Sequence, residues 1–149
     1  MAEETGGTGL GHRSVSMTRV EKGLYEVTNV RGGTMLLGGG GDSTHFTPVE
    51  LLLAAIAGCS ATDVDFITAK RAEPESYTVT AEGDKLRDDN GNHLANIKVR
   101  FSVEFPDGPA GDAAREMLPK AIAMSHDRLC TVSRTVVIGT PIDSAVADD

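Results

Sequence analysis

The chain has 149 residues, 40% hydrophobic and 24% charged, with a formal net charge of −8 and a pI near 4.9. That length is enough for one domain with a real core, and with aromatics at 4% and no Trp the core must be aliphatic. The acidic balance, and the lack of any Lys/Arg cluster interleaved with aromatics, argue against nucleic acid or an anionic membrane surface as partners.

Residues 1–14 are Gly-rich without apolar periodicity and read as a mobile tail, ahead of one domain over 15–143 and a short tail over 144–149. Nothing near Met1 reads as a basic, apolar, cleavable leader, and the longest apolar run, Leu51 to Cys59, is too short to cross a bilayer. A cytoplasmic protein is expected. Ser14 to Val20 and Leu24 to Val30 alternate in polarity about a Glu21-Lys22-Gly23 turn, which predicts paired strands. Arg31-Gly32-Gly33 marks a second turn, Thr34 to Leu37 a third strand, and Gly38 to Gly41 a hinge that lacks the pattern of a phosphate cradle.

Thr47-Pro48-Val49-Glu50 announces a helix: an N-cap Thr, Pro at the first helical position, and Glu three residues after the cap. The helix is expected to run to about Ala72, before Pro74. Apolar residues surround it from Leu51 to Ile67, so it should be enclosed by a sheet or by another subunit. Ser76 to Ala81 and Leu94 to Phe105 predict two more strands about an Asp88-Asp89-Asn90-Gly91-Asn92 turn. Asp112 can cap a helix through Met124 that Pro119 should kink or split. A short helix or turn around Cys130 and a last strand over Thr135 to Ile142 complete the order. The fold class is α+β with antiparallel hairpins around a buried central helix. Its uncovered sheet edges and apolar helix point to an interlocked homodimer.

The chemistry rests on the only two cysteines, Cys59 and Cys130. By number alone both could be inert core residues. In a reducing cytosol, however, disulfides tend to be transient and catalytic. Cys59 follows Gly58 inside the apolar helix, where a missing side chain allows close approach of a backbone or substrate. A thiol buried there needs a cation or donor to become reactive. Asp63, one turn on, disfavours the thiolate but could hold an Arg. Cys130 lies in Ser125-His126-Asp127-Arg128-Leu129-Cys130-Thr131-Val132-Ser133-Arg134, where a helix start, Arg128 or Arg134 would favour a thiolate, while His126 and Asp127 could simply finish a helix. Glu50 falls on the opposite side of its helix from Cys59 and about 13.5 Å along it, so capping is its better account. Zinc on Cys59, Cys130 and His126 lacks the usual short ligand spacing, and no metal or cofactor is expected.

The segment Phe46 to Cys59, taken with Leu129-Cys130-Thr131-Val132-Ser133-Arg134-Thr135, resembles the two signature regions of the OsmC/Ohr superfamily. The resemblance extends in element order over roughly Ser16 to Ile142. It implies an intertwined α+β homodimer whose enzymes reduce hydroperoxides, with Cys59 at the position of the peroxidatic cysteine and Cys130 at that of the resolving one. An external dithiol would reset the pair. Two positions depart from the Ohr and OsmC branches. Val49 stands where they carry a Glu that orients an active-site Arg, and Thr131 follows the second cysteine where they commonly carry Pro. Arg31 is the preferred candidate for that Arg and Arg19 the next. The expected activity is a thiol-dependent hydroperoxide reductase acting on organic hydroperoxides. The alternative is a non-catalytic protein of the same fold that binds a small apolar ligand at the dimer interface.

Overall fold

The structure, a computed structural model, describes residues 9–39 and 43–147. Part of the expected hinge, residues 40–42, and the chain ends, 1–8 and 148–149, lie outside the described residues. The chain divides into two compact units, Met1–Leu52 and Leu53–Asp149.

The first unit is a three-stranded antiparallel sheet in the order β1 (Val15–Glu21), β2 (Leu24–Asn29), β3 (Thr34–Gly38). Its turns follow local chemistry. Asn29 Oδ1 accepts the N–H groups of Arg31 (2.9 Å) and Gly33 (3.0 Å), and Gly32 supplies the positive φ of 89° that closes the turn. Gly38, at φ 109°, lies so close to Gly23 that a Cβ there would sit 2.2 Å from its carbonyl oxygen. All seven residues of β1 are exposed.

Helix α1 (Pro48–Thr68) opens with the expected reciprocal cap: Thr47 N–H donates to Glu50 Oε1 at 2.9 Å, and Glu50 N–H to Thr47 Oγ1 at 3.3 Å. It ends at Thr68, four residues short of expectation, where Arg71 N–H bonds the Thr68 carbonyl at 3.0 Å. Within one chain it is not enclosed. Only the Ile56, Ser60, Val64, Thr68 stripe is buried, while Leu52 and Phe66 are exposed. Its 21 residues, with an 18-residue window at a mean hydropathy of 1.5, do reach membrane-spanning length, unlike the unbroken apolar run within it. The buried stripe, and a hydrogen bond from Tyr77 Oη to the Ala61 carbonyl at 2.8 Å, are the features of a helix packed on its own sheet.

Strands β4 (Ser76–Asp88) and β5 (Gly91–Glu104) form one long antiparallel hairpin, with Tyr77 edge-on to Phe101 at 6.4 Å. Both strands exceed their expected lengths, because the outer half of the ribbon is exposed and carries little apolar alternation. Between Glu82 and Asp84 the register shifts, β5 bulging at Asn96, which takes a φ of 55° and donates from Nδ2 to Asp84 at 2.9 Å.

Helix α2 (Pro109–Met124) starts earlier than expected, with Gly108 at the cap and Pro109 in the first turn. Asp112 is not the cap; it lies in the first turn and pairs with Arg115. Pro119 does not split the helix, since it sits on the exposed side where water can take the carbonyl that its missing N–H leaves unpaired. A π turn follows over Ser125–Leu129, and then α3 (Thr131–Val137).

Helix α3 replaces the expected last strand. The β-branched run Thr135-Val136-Val137-Ile138 favours a strand locally, but Cys130 caps a helix with its own sulfur, which accepts Ser133 N–H at 3.3 Å. Arg134 N–H then bonds the Cys130 carbonyl at 2.9 Å, and Gly139, at φ 65°, ends the helix.

Candidate active site

The second unit brings the two cysteines together. Cys59, on α1, is partly accessible, whereas Cys130 is fully buried, and both are free thiols near enough to perturb each other's ionisation. Their surroundings differ. Burial pushes the Cys59 thiol up, a hydrogen bond from the Val132 backbone partly offsets this, and Cys130 and the Asp63 carboxylate push it up further. Burial also opposes ionisation of Cys130. There, hydrogen bonds from the Ser133 hydroxyl, the Ser60 hydroxyl, the Ser133 backbone and Cys59 together outweigh it and bring the thiol below its ordinary value.

Chain geometry explains the arrangement. Ser125, 1% exposed, donates from its hydroxyl to Asp63 Oδ2 at 2.8 Å and accepts Cys130 N–H on its carbonyl at 2.8 Å. One residue thus ties the turn to α1 and fixes where Cys130 emerges. Gly58 leaves open space: among the described residues, nothing beyond its own stretch of helix comes within 4 Å of where a Cβ would stand.

A cavity of about 320 Å³ lies in the same unit, lined by Ser60, the neighbour of Cys59, and by Ser133, whose Oγ is 3.1 Å from Cys130 Sγ, but by neither cysteine itself. Its walls are apolar, from Ile56 on α1, Ile97, Val99 and Phe101 on β5, Ile122 on α2, and Val136 and Val137 on α3. The polar part of its wall comes from these two serines, with Arg100 and His126 at its edges. A small organic molecule with one polar end would fit such a space.

Of the accessory candidates, Asp63 is at the site, acting on Cys59 and bound by Ser125. His126 lies in the π turn and lines the cavity without joining the thiols in a ligand set; among the described residues no three His, Cys, Asp or Glu side chains come together as a metal site. Glu50 is engaged in the α1 cap with Thr47, which holds its carboxyl below the usual range. Arg31 belongs to the β2–β3 turn of the first unit, and Arg19 to β1 opposite Tyr25. Ser60, Ser133 and Ser125 were not singled out from the sequence. Only Ser133 carried a signal there, the three-residue spacing from Cys130 that a helix cap requires.

An antiparallel α+β chain that sets one helix-borne thiol against a second, helix-capping thiol defines a two-cysteine thiol protein. The family model described as OsmC-like protein matches residues 39–145, and the chain belongs to that family. No curated protein matches it. Among solved structures, an OsmC-like protein of unknown function from Vibrio cholerae is similar at 19% identity and a TM-score of 0.69, covering 85% of this chain and 94% of that one. An OsmC-like protein from Mycoplasma pneumoniae is similar at 13% identity and a TM-score of 0.68, covering 85% and 88%. An organic hydroperoxide resistance protein from Bacillus subtilis is similar at 16% identity and a TM-score of 0.53, covering 85% and 92%. These likenesses establish the OsmC fold.

Proposed function

We propose that the protein is a thiol-dependent hydroperoxide reductase that uses Cys59 as the peroxidatic and Cys130 as the resolving cysteine. The observation that carries this reading is a pair of free thiols that act on each other's ionisation, one partly accessible on α1 and one buried at the start of α3. Peroxide oxidises Cys59 to a sulfenic acid, Cys130 condenses with it to a disulfide and releases water, and an external dithiol restores both thiols. The apolar cavity that Ser60 and Ser133 reach supports an organic rather than a purely inorganic peroxide. Membership of the OsmC-like family, and the fold shared with a hydroperoxide resistance protein, support the same chemistry.

The working form is a homodimer in this reading. The exposed apolar residues of α1 and α3, among them Phe66 at 63% and Val137 at 63%, are surface that a second copy would cover. A reducing, cytoplasmic setting fits thiols that must cycle.

Reduced protein treated with one equivalent of cumene hydroperoxide should lose the mass of two hydrogen atoms and yield a Cys59–Cys130 peptide. Both thiols free while peroxide persists would defeat the reading. The same cavity also supports a second reading, a non-catalytic carrier of a small apolar ligand. Slow native-state thiol labelling, together with a ligand that survives purification, would favour it.

A further inference from the structure

Cys130 N–H donates to the Ser125 carbonyl at 2.8 Å, five residues back. This is a π rather than an α bond, so the turn that delivers Cys130 is one residue wider than a turn of the helix before it. Ser125, which opens that turn, is buried and donates from Oγ to Asp63 Oδ2 at 2.8 Å. Asp63 stands four residues after Cys59, one turn further along the same face of α1. The path from one thiol to the other thus runs Cys59, Asp63, Ser125, Cys130, through a turn of α-helix, a side-chain hydrogen bond and a π turn. The outer links are backbone structure, whereas the middle one is a single bond between segments 62 residues apart in sequence. Cys130 is held on its far side as well. Its carbonyl accepts Arg134 N–H at 2.9 Å and its sulfur accepts Ser133 N–H at 3.3 Å, so it moves with the turn and α3 rather than by itself.

We propose that Asp63 and Ser125 are positioning residues for the thiol pair: their hydrogen bond is a strut that sets the separation of Cys59 and Cys130, and so governs how readily the two sulfurs close to a disulfide. The proposal rests on the pairing of the thiols that the peroxidase reading uses, and not on peroxide as the oxidant. A disulfide needs Cα atoms within about 7 Å and a narrow range of side-chain directions. A strut that removes freedom from the turn before oxidation lowers the ordering cost of closing the bond. In the peroxidase cycle the step concerned is the second. Cys130 sulfur bonds the Cys59 sulfenic sulfur, the S–O bond breaks, and the Cys130 proton leaves with the hydroxyl as water. Without the strut the sulfenic acid waits longer for its partner.

Equilibration of the reduced protein with mixtures of glutathione and glutathione disulfide tests the strut without peroxide. Closing the protein disulfide passes two electrons and two protons to glutathione disulfide, giving two glutathione thiols. Thiol labelling and mass analysis read the fraction closed. Ser125→Ala and Asp63→Ala should each lower the effective concentration of the pair about tenfold, the worth of one hydrogen bond to a charged acceptor, or about 30 mV in its potential. Asp63→Asn keeps an oxygen that can accept the Ser125 hydroxyl and should stay within about twofold of wild type. Thr47→Ala, which weakens the α1 cap instead, should leave the effective concentration unchanged, and this separates positioning from a general loss of stability. Asp63 is only partly buried, so Asp63→Ala carries the test if Ser125→Ala fails to fold. Where cumene hydroperoxide oxidises Cys59, dimedone should trap more of it in Ser125→Ala than in wild type. Wild-type thiols that never close, alanine variants that match wild type, an equal fall in Asp63→Asn or Thr47→Ala, or no rise in that trapping would overturn the proposal. Closure by glutathione disulfide in the expected order, with no oxidation by peroxide, would refute the peroxidase reading and leave the strut standing.

Discussion

Ser125→Ala removes one hydroxyl from a position that is 1% exposed and leaves the backbone bond from Cys130 to its carbonyl in place. The hydroxyl's partner is Asp63 Oδ2 at 2.8 Å, on an element 62 residues away in sequence. A hydrogen bond to a charged acceptor contributes about 1.5–3 kcal/mol, and a carboxylate that is only partly buried, so that water can partly re-solvate it, argues for the lower end, about 1.5 kcal/mol. For a chain of this size each kcal/mol moves the thermal midpoint by about 2–4 °C, so the expected loss is about 3–6 °C. Calorimetry on the reduced protein at neutral pH measures it. An unchanged or raised midpoint would refute the claim that Ser125 fastens the Cys130 turn to α1.

Thr47→Ala should cost about 1 kcal/mol of stability through loss of the α1 cap, read by urea denaturation. Because the Thr47 backbone N–H, and after it the Thr47 hydroxyl, hold the folded-state pKa of Glu50 down, that stabilisation is present above the unfolded carboxyl's pKa and is lost as pH falls through the folded one; Glu50→Gln should flatten this acid limb, whereas Thr47→Ala, which keeps the N–H, should leave most of it. Gly111→Ala should destabilise by at least about 2 kcal/mol in the same assay, since the added Cβ would lie 1.6 Å from the Pro106 carbonyl oxygen. Burial raises the Tyr77 hydroxyl to about 12, with Asp65 adding to the effect. Its contribution is complete below the unfolded value of about 10 and is lost as pH rises toward the folded one. Phenolate absorbance near 295 nm should therefore show one late-titrating tyrosine that Tyr77→Phe abolishes.

The start of α1 was legible because its signal is local: Thr47, Pro48 and Glu50 satisfy one another's backbone groups within a single turn. The first hairpins were equally readable from Gly23, Asn29 and Gly32. The C-terminal strand was misread because β-branched propensity is a weak preference, and one sulfur cap at Cys130 with a glycine stop at Gly139 outweighs it. The long β4–β5 ribbon was under-read because its outer half is exposed on both faces and has no reason to alternate. At the site, the two thiols stood out by rarity and setting. Ser60 did not, since a serine on an apolar helix carries no mark of its partner. The Ser125–Asp63 bond joins segments that only the folded chain brings together.

The central claim, that Cys59 takes oxygen from a peroxide and Cys130 resolves it, is tested most directly by trapping the first product. Reduced Cys130→Ser protein, treated with cumene hydroperoxide in the presence of dimedone, should carry one dimedone adduct at Cys59 and consume one equivalent of peroxide. Cys59→Ser should carry none. An adduct on Cys130 in the Cys59→Ser protein, with none on Cys59 in the other, would contradict the account.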